Sequence, residues 1–258
     1  MARVSILEYR ETVWSEVFPG NQHTVQCLEP AVLAAETALE LSAAQRKRTV
    51  WRLDGGAGSD QHVRWLVQRG YHVVAKGMSH SRAKALAKRV TRWDGYQGVE
   101  LGEVEPPVDY GRPVRVFVKR VSKDGGFIHS CYVVTISLAS KGLFMACYDR
   151  RGAAEVEQFR GDKSGLGLEA RRKCNFLGQK GYILLTDLAH NLLSDFYHRA
   201  LLGSRFEDYG PKRIIRDLLA MPGRLIFDRD SLVRVELLTQ KQFSKDLAKC
   251  LKTFVSSH

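Results

Sequence analysis

The segment Thr49-Val50-Trp51-Arg52-Leu53-Asp54-Gly55-Gly56-Ala57-Gly58-Ser59-Asp60 decides the fold class of this sequence. Its first five residues favour a short β-strand, its glycines predict a tight turn, and its last two residues can cap a helix that runs to Gly70. Residues 71–75 form a second strand-favouring run. Strand, helix and strand in this order predict an α/β fold. A carboxylate at the carboxyl end of such a strand lies where open α/β sheets bind ligands, so Asp54 is a candidate site residue.

The turn after Asp54 also has a purely structural interpretation, in which the carboxylate only accepts hydrogen bonds from nearby backbone N–H groups. Nucleotide binding through a known glycine motif is excluded. The pair Gly56-x-Gly58 lacks the third glycine of the dinucleotide fingerprint, since Gln61 stands there. The chain also contains no Gly-x-x-x-x-Gly-Lys-Ser/Thr run.

Outward from this segment, the chain divides into three predicted parts. Residues 1–92 contain the strand–helix–strand unit. Residues 93–147 carry clusters of β-branched residues separated by turn sequences, which predict an antiparallel β-rich insertion. Residues 148–258 are mainly helical, with a β-hairpin around residues 228–230 and a lysine-rich tail helix.

One helix of the third part, over residues 183–196, has leucines at positions 184, 188 and 192 and a phenylalanine at 196. This spacing predicts that the leucine stripe is the buried face of the helix. His190 lies on the same helix. We expect it to be a packed histidine with satisfied hydrogen bonds rather than a catalytic residue.

Composition limits the class of protein. The chain has 258 residues, of which 44% are hydrophobic and 26% charged, and this argues against global disorder. No apolar run approaches the roughly 18 residues of a membrane span, and no signal peptide is visible. The five cysteines lack a Cys-x-x-Cys pair, which argues against a zinc knuckle or a disulfide framework and predicts a cytoplasmic protein.

The formal charge of +12 indicates either an ordinary basic protein or one with a polyanionic partner, most often nucleic acid. Three basic runs could follow a phosphate backbone. They span residues 82–92, 112–123 and 171–173.

A second cluster lies at residues 148–157. On one helix, Tyr148, Arg151 and Glu155 would share a face, at offsets of zero, three and seven residues. A phenol, a cation and a carboxylate in this arrangement suit a phosphodiester, because the acid can hold a metal while the other two contact phosphate oxygens. The alternative is a solvated, charged helix face.

Together the two clusters resemble the catalytic domain of bacterial insertion-sequence transposases of the DDE type. The resemblance covers nearly the whole chain, and its most specific element is the tyrosine–arginine–glutamate spacing followed by a lysine. It is carried by Trp51-Arg-Leu-Asp54-Gly-Gly, Tyr71-His-Val-Val-Ala-Lys76-Gly77, Tyr148-x-x-Arg151-x-x-x-Glu155, Lys163-Ser-Gly-Leu-Gly-Leu168 and Asp187-Leu-Ala-His190-Asn191-Leu-Leu193.

The resemblance implies an RNase H-like mixed sheet flanked by helices, with the β-rich insertion before the glutamate-bearing helix. It implies cleavage and joining of DNA phosphodiesters with two Mg²⁺ (or Mn²⁺) ions. Asp54 and Glu155 would be catalytic metal ligands, with Glu157 as an alternative to Glu155. The residues implied to hold DNA phosphates are Tyr148, Arg151 and Lys163. The implied partners are transposon-end and target DNA at the nucleoid and a second copy in the synaptic complex.

Two departures from the family pattern qualify these expectations. Seven residues separate Glu155 from Lys163, one more than is usual in the family. The strand that carries the family's first aspartate has no counterpart here, and Glu8 and Glu11 are weak substitutes. We therefore expect a truncated chain with impaired catalysis. The alternatives are a non-catalytic DNA-binding remnant and an RNase H-like nuclease.

Overall fold

The computed structural model describes residues 1–19, 21–170, 175–239 and 241–256, without the side chains of residues 24, 151–157 and 170. The chain divides into two compact units. The first, called the sheet unit, comprises Met1–Val4 and Glu16–Ala153. The second, called the helical unit, comprises Ser5–Ser15 and Ala154–His258.

The elements follow one another in this order. The first half contains β1 (Ala2–Ile6), β2 (Glu11–Glu16), α1 (Leu28–Ala38), α2 (Ala43–Arg46), β3 (Val50–Leu53), α3 (Asp60–Gln68), β4 (His72–Lys76), α4 (His80–Ala87), β5 (Trp93–Tyr96), β6 (Val99–Val104), β7 (Arg115–Lys123) and β8 (Gly126–Val134). The second half contains α5 (Lys141–Gly165), α6 (Phe176–Phe196), α7 (Pro211–Arg213), β9 (Gly223–Asp228), β10 (Ser231–Leu237) and α8 (Ser244–Ser256). Within the described residues, no helix combines the length and the apolar character needed to cross a bilayer.

A six-stranded mixed sheet organises the sheet unit, with the strand order β3-β4-β8-β7-β6-β5. Strands β3 and β4 are parallel, with Leu53 opposite Ala75. All other neighbours in this sheet are antiparallel. The predicted α/β class and the antiparallel β segment are confirmed. The four strands of that segment extend the sheet that β3 and β4 begin.

Side-chain alternation along the strands explains why both faces of this sheet are covered by helices. On one face, Val73 and Ala75 of β4 pack with buried residues of α1, α3 and α4. On the other face, Val74 packs with Phe144 and Met145 from the start of α5. The sheet therefore has two apolar faces and helices on both sides.

A charged cluster fixes helix α1 to the end of α3. Glu36 accepts two hydrogen bonds from the Arg69 guanidinium, and its Oε1 accepts a third from the Tyr71 hydroxyl at 2.8 Å. The Arg69 contact lowers the pKa of Glu36, and the Tyr71 hydroxyl adds to this effect, against the opposing influence of burial.

Replacing Glu36 with glutamine is expected to lower the free energy of unfolding by about 2 kcal/mol at pH 7, because charge-assisted hydrogen bonds are lost. A carboxyl with a lowered folded-state pKa stabilises the fold above its unfolded-state value and loses this contribution as pH falls through the folded-state value. The variant should therefore show a flatter fall in stability below about pH 4 in urea titrations. Glu40→Gln is the control, because Glu40 is exposed. If Glu36→Gln loses stability with falling pH as steeply as the wild-type chain does, the Glu36 carboxylate does not stabilise the fold.

In the helical unit, α6 buries its polar face. Asn191 pairs with the backbone of Thr12 on β2, donating to its carbonyl oxygen at 2.8 Å and accepting from its N–H at 2.8 Å. His190 Nε2 lies 2.7 Å from the Arg10 carbonyl oxygen, and the Ser194 hydroxyl donates to the same oxygen at 3.2 Å. These side chains bond the backbone of residues 10–12 much as a neighbouring strand would.

The prediction that the leucine stripe of this helix is buried is wrong. Leu184, Leu188 and Leu192 are all exposed, although Phe196 is buried. The periodicity correctly predicts a two-faced helix, but the polar face is the one that the fold covers. His190 is buried with both ring nitrogens bonded, which confirms its packing role. The predicted hairpin around residues 228–230 is also confirmed, as β9 and β10.

Candidate functional site

The carboxyl ends of the parallel strands β3 and β4 form the most distinctive surface feature of the sheet unit. Since Leu53 lies opposite Ala75, Asp54 and Lys76 follow at the same edge of the sheet. Asp54 is exposed, and its Oδ1 accepts a hydrogen bond from the Gly56 N–H at 2.9 Å. One oxygen thus closes the turn, as the structural interpretation predicts, and the carboxylate is exposed at the end of the strand.

Glycines bring the loops after β3 and β4 into direct backbone contact. A Cβ atom at Gly58 would lie 1.8 Å from the Lys76 carbonyl oxygen. A Cβ atom at Gly77 would lie 2.5 Å from Cys131 Sγ, and the Gly77 N–H donates to the Cys131 carbonyl oxygen at 2.8 Å. The glycines therefore hold the Asp54 turn against the end of β4.

Asp60 connects the start of helix α3 to two other segments. Its Oδ2 accepts from the Arg82 guanidinium at 2.5 Å, and its Oδ1 accepts from the Tyr110 hydroxyl at 2.6 Å. Burial opposes ionisation of Asp60, but these two hydrogen bonds outweigh it and set the pKa of the carboxyl below its usual range. The Ser59 hydroxyl caps the helix by accepting from the His62 N–H at 3.2 Å. The segment from Asp54 to Asp60 is thus held by the Gly56 hydrogen bond at its start and by the Arg82 and Tyr110 contacts at its end.

Helix α5 carries the second cluster. It is continuous from Lys141 to Gly165, so its backbone includes every position of the predicted tyrosine–arginine–glutamate–lysine series. The side chains of Arg151, Glu155 and Glu157 lie outside the described residues. Lys163 is exposed in the last turn of the helix.

Tyr148 occupies a different environment from the one expected of a phosphate ligand. It is 6% exposed and packs edge-to-face on Tyr132, with ring centroids 4.9 Å apart. It belongs to the core under the sheet together with Phe144. Its burial favours a packing role over the predicted contact with a DNA phosphate.

The described residues provide a carboxylate of the kind that binds Mg²⁺, but they do not provide a complete metal site. Asp54 is a hard oxygen ligand of the kind that Mg²⁺ prefers. Among the residues that the structure describes, no group of three or more His, Cys, Asp or Glu side chains could hold a metal ion. Glu155, the other predicted metal ligand, lies in the part of α5 whose side chains are not described.

Several arginines of the predicted basic runs have partners inside the fold. Arg115 and Arg120 form two-pronged ion pairs with Glu103 and Glu100 on the neighbouring strand β6. Arg112 Nη1 donates to the Tyr71 carbonyl oxygen at 3.3 Å. These side chains brace the sheet, and the run at residues 171–173 lies outside the described residues. In the first run, Lys84 on helix α4 and Lys88, directly after the end of that helix, are exposed.

Comparison with known proteins leaves the family open, since no protein-family model matches the sequence and no curated protein matches it either. Sequence analysis located Asp54 correctly at the strand end but missed the connection of Asp60 to Tyr110. No local pattern signals a contact between residues 50 positions apart. Lys76 could have been found, because parallel strands end at the same edge of a sheet.

Proposed function

We propose that this chain is a DDE-type DNA transposase with an RNase H-like fold, in which Asp54 and Glu155 hold divalent metal. Its substrate class is the phosphodiester backbone of DNA at insertion-sequence ends. The observation that carries the proposal is the exposed carboxylate of Asp54 at the carboxyl end of a parallel strand pair, in the position where open α/β sheets bind ligands.

Three further features support the proposal. The antiparallel strands β5 to β8 lie in the chain between Asp54 and helix α5, as the family pattern requires of its insertion. Helix α5 includes positions 151 and 155 in one continuous backbone, which puts both residues on one helix face. The net charge of +12 favours a polyanionic substrate.

In this proposal Asp54 would bind the metal, and two lysines would attract the DNA phosphates. The Asp54 carboxylate would bind Mg²⁺, which supplies positive charge near the reacting phosphate when it is bound. The turn closed by the Gly56 N–H holds that carboxylate in one orientation. Lys76 at the same edge and Lys163 at the end of α5 would attract phosphate oxygens.

Replacing Asp54 with asparagine is expected to reduce Mn²⁺- or Mg²⁺-dependent nicking of supercoiled plasmid DNA at least ~100-fold, because the metal loses a charged ligand. The asparagine oxygen can still accept the Gly56 N–H, so the turn should persist. Asp109→Asn is the matched control, because Asp109 is also exposed and accepts from the Gly111 N–H at 2.8 Å. Equal nicking by both variants would contradict the assignment, and nicking without strand joining would favour an RNase H-like nuclease.

A second candidate function is DNA binding without cleavage. It is favoured by the exposed Lys84 and Lys88 and by the absence, among the described residues, of a group of three or more His, Cys, Asp or Glu side chains that could hold a metal ion. It predicts strong duplex binding that weakens by about 10³-fold between roughly 50 and 200 mM salt, since bound phosphates release counterions. A complete absence of nicking together with this salt dependence would replace the first proposal by the second.

A further inference from the structure

Arg82, in the first turn of helix α4, is held by a carboxylate at only one end of its guanidinium group. Its Nη1 donates to Asp60 Oδ2 at 2.5 Å. Within the part of the chain that the structure describes, its Nε and Nη2 make no hydrogen bond, and neither atom is buried. The edge of the guanidinium group that carries these two N–H donors is therefore open to a ligand.

Other ion-paired arginines of the sheet unit use this edge inside the fold. Three of them donate from Nε and Nη2 together to one carboxylate. These pairs are Arg69 with Glu36, Arg115 with Glu103, and Arg120 with Glu100. Two parallel N–H groups of this kind match two oxygen atoms of a carboxylate or a phosphate. Arg82 differs from these three arginines because it is anchored and still has this edge to offer.

Asp60 determines the direction of the open edge. Its second oxygen, Oδ1, accepts from the Tyr110 hydroxyl at 2.6 Å, and Tyr110 is almost fully buried. Burial raises the pKa of Tyr110, and the nearby charge of Arg82 opposes this effect. The carboxylate is thus fixed on one side by a core residue while it holds Arg82 on the other. An arginine that is already oriented loses less conformational entropy when it binds a ligand.

Cys131 shows where this pair lies in the sheet unit. Its carbonyl oxygen accepts from the N–H of Gly77, just beyond the end of β4, at 2.8 Å. Burial raises the pKa of the Cys131 thiol, and the charges of Arg82 and Asp60 also act on that thiol. The pair therefore lies close to the carboxyl edge of the parallel strands, where the turn after β3 also lies.

Lys76 adds a second cation at this edge. A Cβ atom at Gly55 would lie 4.0 Å from Lys76 Cδ, so the stem of the lysine runs along the turn that follows Asp54. Lysine attracts phosphate as a point charge, whereas arginine adds two directed hydrogen bonds. A cation and an open pair of N–H donors at one edge suit an anion with several oxygen atoms, such as a phosphodiester.

We propose that Arg82 binds a phosphate of the DNA backbone through its Nε and Nη2 atoms, with Asp60 as its positioning residue. This inference rests on the proposed function and deepens it, because it assigns a DNA contact to the sheet edge. The contact needs no metal ion, so it can be tested separately from cleavage.

Fluorescence anisotropy of a fluorescein-labelled DNA duplex with the full chain in EDTA tests the inference. Arg82→Gln should raise the dissociation constant about tenfold and lower the slope of log affinity against log salt by about one, between roughly 50 and 200 mM salt. Arg115→Gln is the matched control, since Arg115 is 35% and Arg82 34% exposed, but Glu103 occupies the Arg115 edge. The control should keep the wild-type salt slope.

Asp60→Asn separates positioning from net charge. Loss of a negative charge alone would tighten DNA binding. If Asp60 positions Arg82, the variant should instead bind about threefold more weakly, because Arg82 must be ordered when DNA binds. Circular dichroism checks that each variant is folded. If Arg82→Gln does not fold, Arg82→Lys replaces it, since lysine keeps the charge without the two parallel N–H donors, and its binding should also be weaker.

Weaker binding by the Arg82 variant and by Asp60→Asn, with the salt slope lowered in Arg82→Gln, supports the inference. A wild-type chain that does not bind DNA overturns it. Equal salt slopes in Arg82→Gln and Arg115→Gln, wild-type affinity in Arg82→Lys, or tighter binding by Asp60→Asn also overturn it. Nicking that requires Asp54 while DNA binding ignores Arg82 would contradict this inference alone. DNA binding that requires Arg82 without any nicking would contradict only the proposed catalysis.

Discussion

Replacing His190 with alanine is expected to lower the free energy of unfolding of the helical unit by about 3–5 kcal/mol. The Arg10 carbonyl oxygen can only accept, so His190 Nε2 carries a hydrogen, and one proton lies between Nδ1 and the Asp162 carboxylate. Asp162 has no solvent exposure and His190 is 5% exposed. The substitution removes a bonded partner of a buried carboxyl group and a link between α6 and the segment before β2.

Urea unfolding followed by circular dichroism measures this loss, and His198→Ala provides the control. His198 Nε2 lies 3.0 Å from the Tyr9 carbonyl oxygen in an exposed contact, so its loss should cost less than about 1 kcal/mol. If His190→Ala and His198→Ala lower the free energy of unfolding equally, the buried pair of His190 and Asp162 does not stabilise the helical unit as expected.

Gly58→Ala is the second substitution with a large expected effect, a destabilisation of the sheet unit by about 3 kcal/mol. The new methyl group would lie 1.8 Å from the Lys76 carbonyl oxygen, and backbone atoms there cannot move aside as a flexible side chain can. The loops after β3 and β4 must separate, and this moves Asp54 as well. We expect plasmid nicking to fall together with stability.

Tryptophan fluorescence reports mainly on this unit, since three of the four tryptophans, Trp51, Trp65 and Trp93, lie in it, whereas Trp14 lies in the helical unit. Gly95→Ala in strand β5 is the control, because nothing lies within 4 Å of a Cβ atom there. Its stability should stay unchanged or rise slightly, as alanine suits a strand better than glycine. A Gly58→Ala variant as stable as Gly95→Ala would show that the two loops do not need their close contact.

The elements of the sheet unit were largely predictable, while their arrangement was not. Strands β3 and β4 follow from runs of β-branched and aromatic residues bounded by turn signals. The pairing of β4 with β8 joins Val74 to Val134, and no local pattern specifies such a distant partner. The α/β class was therefore accessible from sequence, whereas the strand order required the structure.

Helix α6 shows a different limit of sequence reasoning. Periodicity identifies two faces of a helix but assigns the inner one by hydrophobicity alone. Here Asn191 and Ser194 bond to backbone groups of residues 10–12, which no side-chain pattern predicts. Sequence patterns placed Asp54 correctly after the end of a strand, because the end of a strand is a local feature. They assigned Tyr148 to phosphate, although the ring is in the core.

Metal-directed cleavage of the polypeptide would detect a divalent metal shared by Asp54 and Glu155 without relying on enzymatic activity. Fe²⁺ substituted for Mg²⁺ generates hydroxyl radicals with ascorbate and peroxide, and these cut the backbone next to the bound ion. Mass spectrometry of the fragments should show cuts near residue 54 and near residue 155, both suppressed by excess Mg²⁺ and both lost in Asp54→Asn but not in Asp109→Asn. Cuts near only one of these positions, or cuts that persist in Asp54→Asn, would show that Asp54 and Glu155 do not share a metal ion.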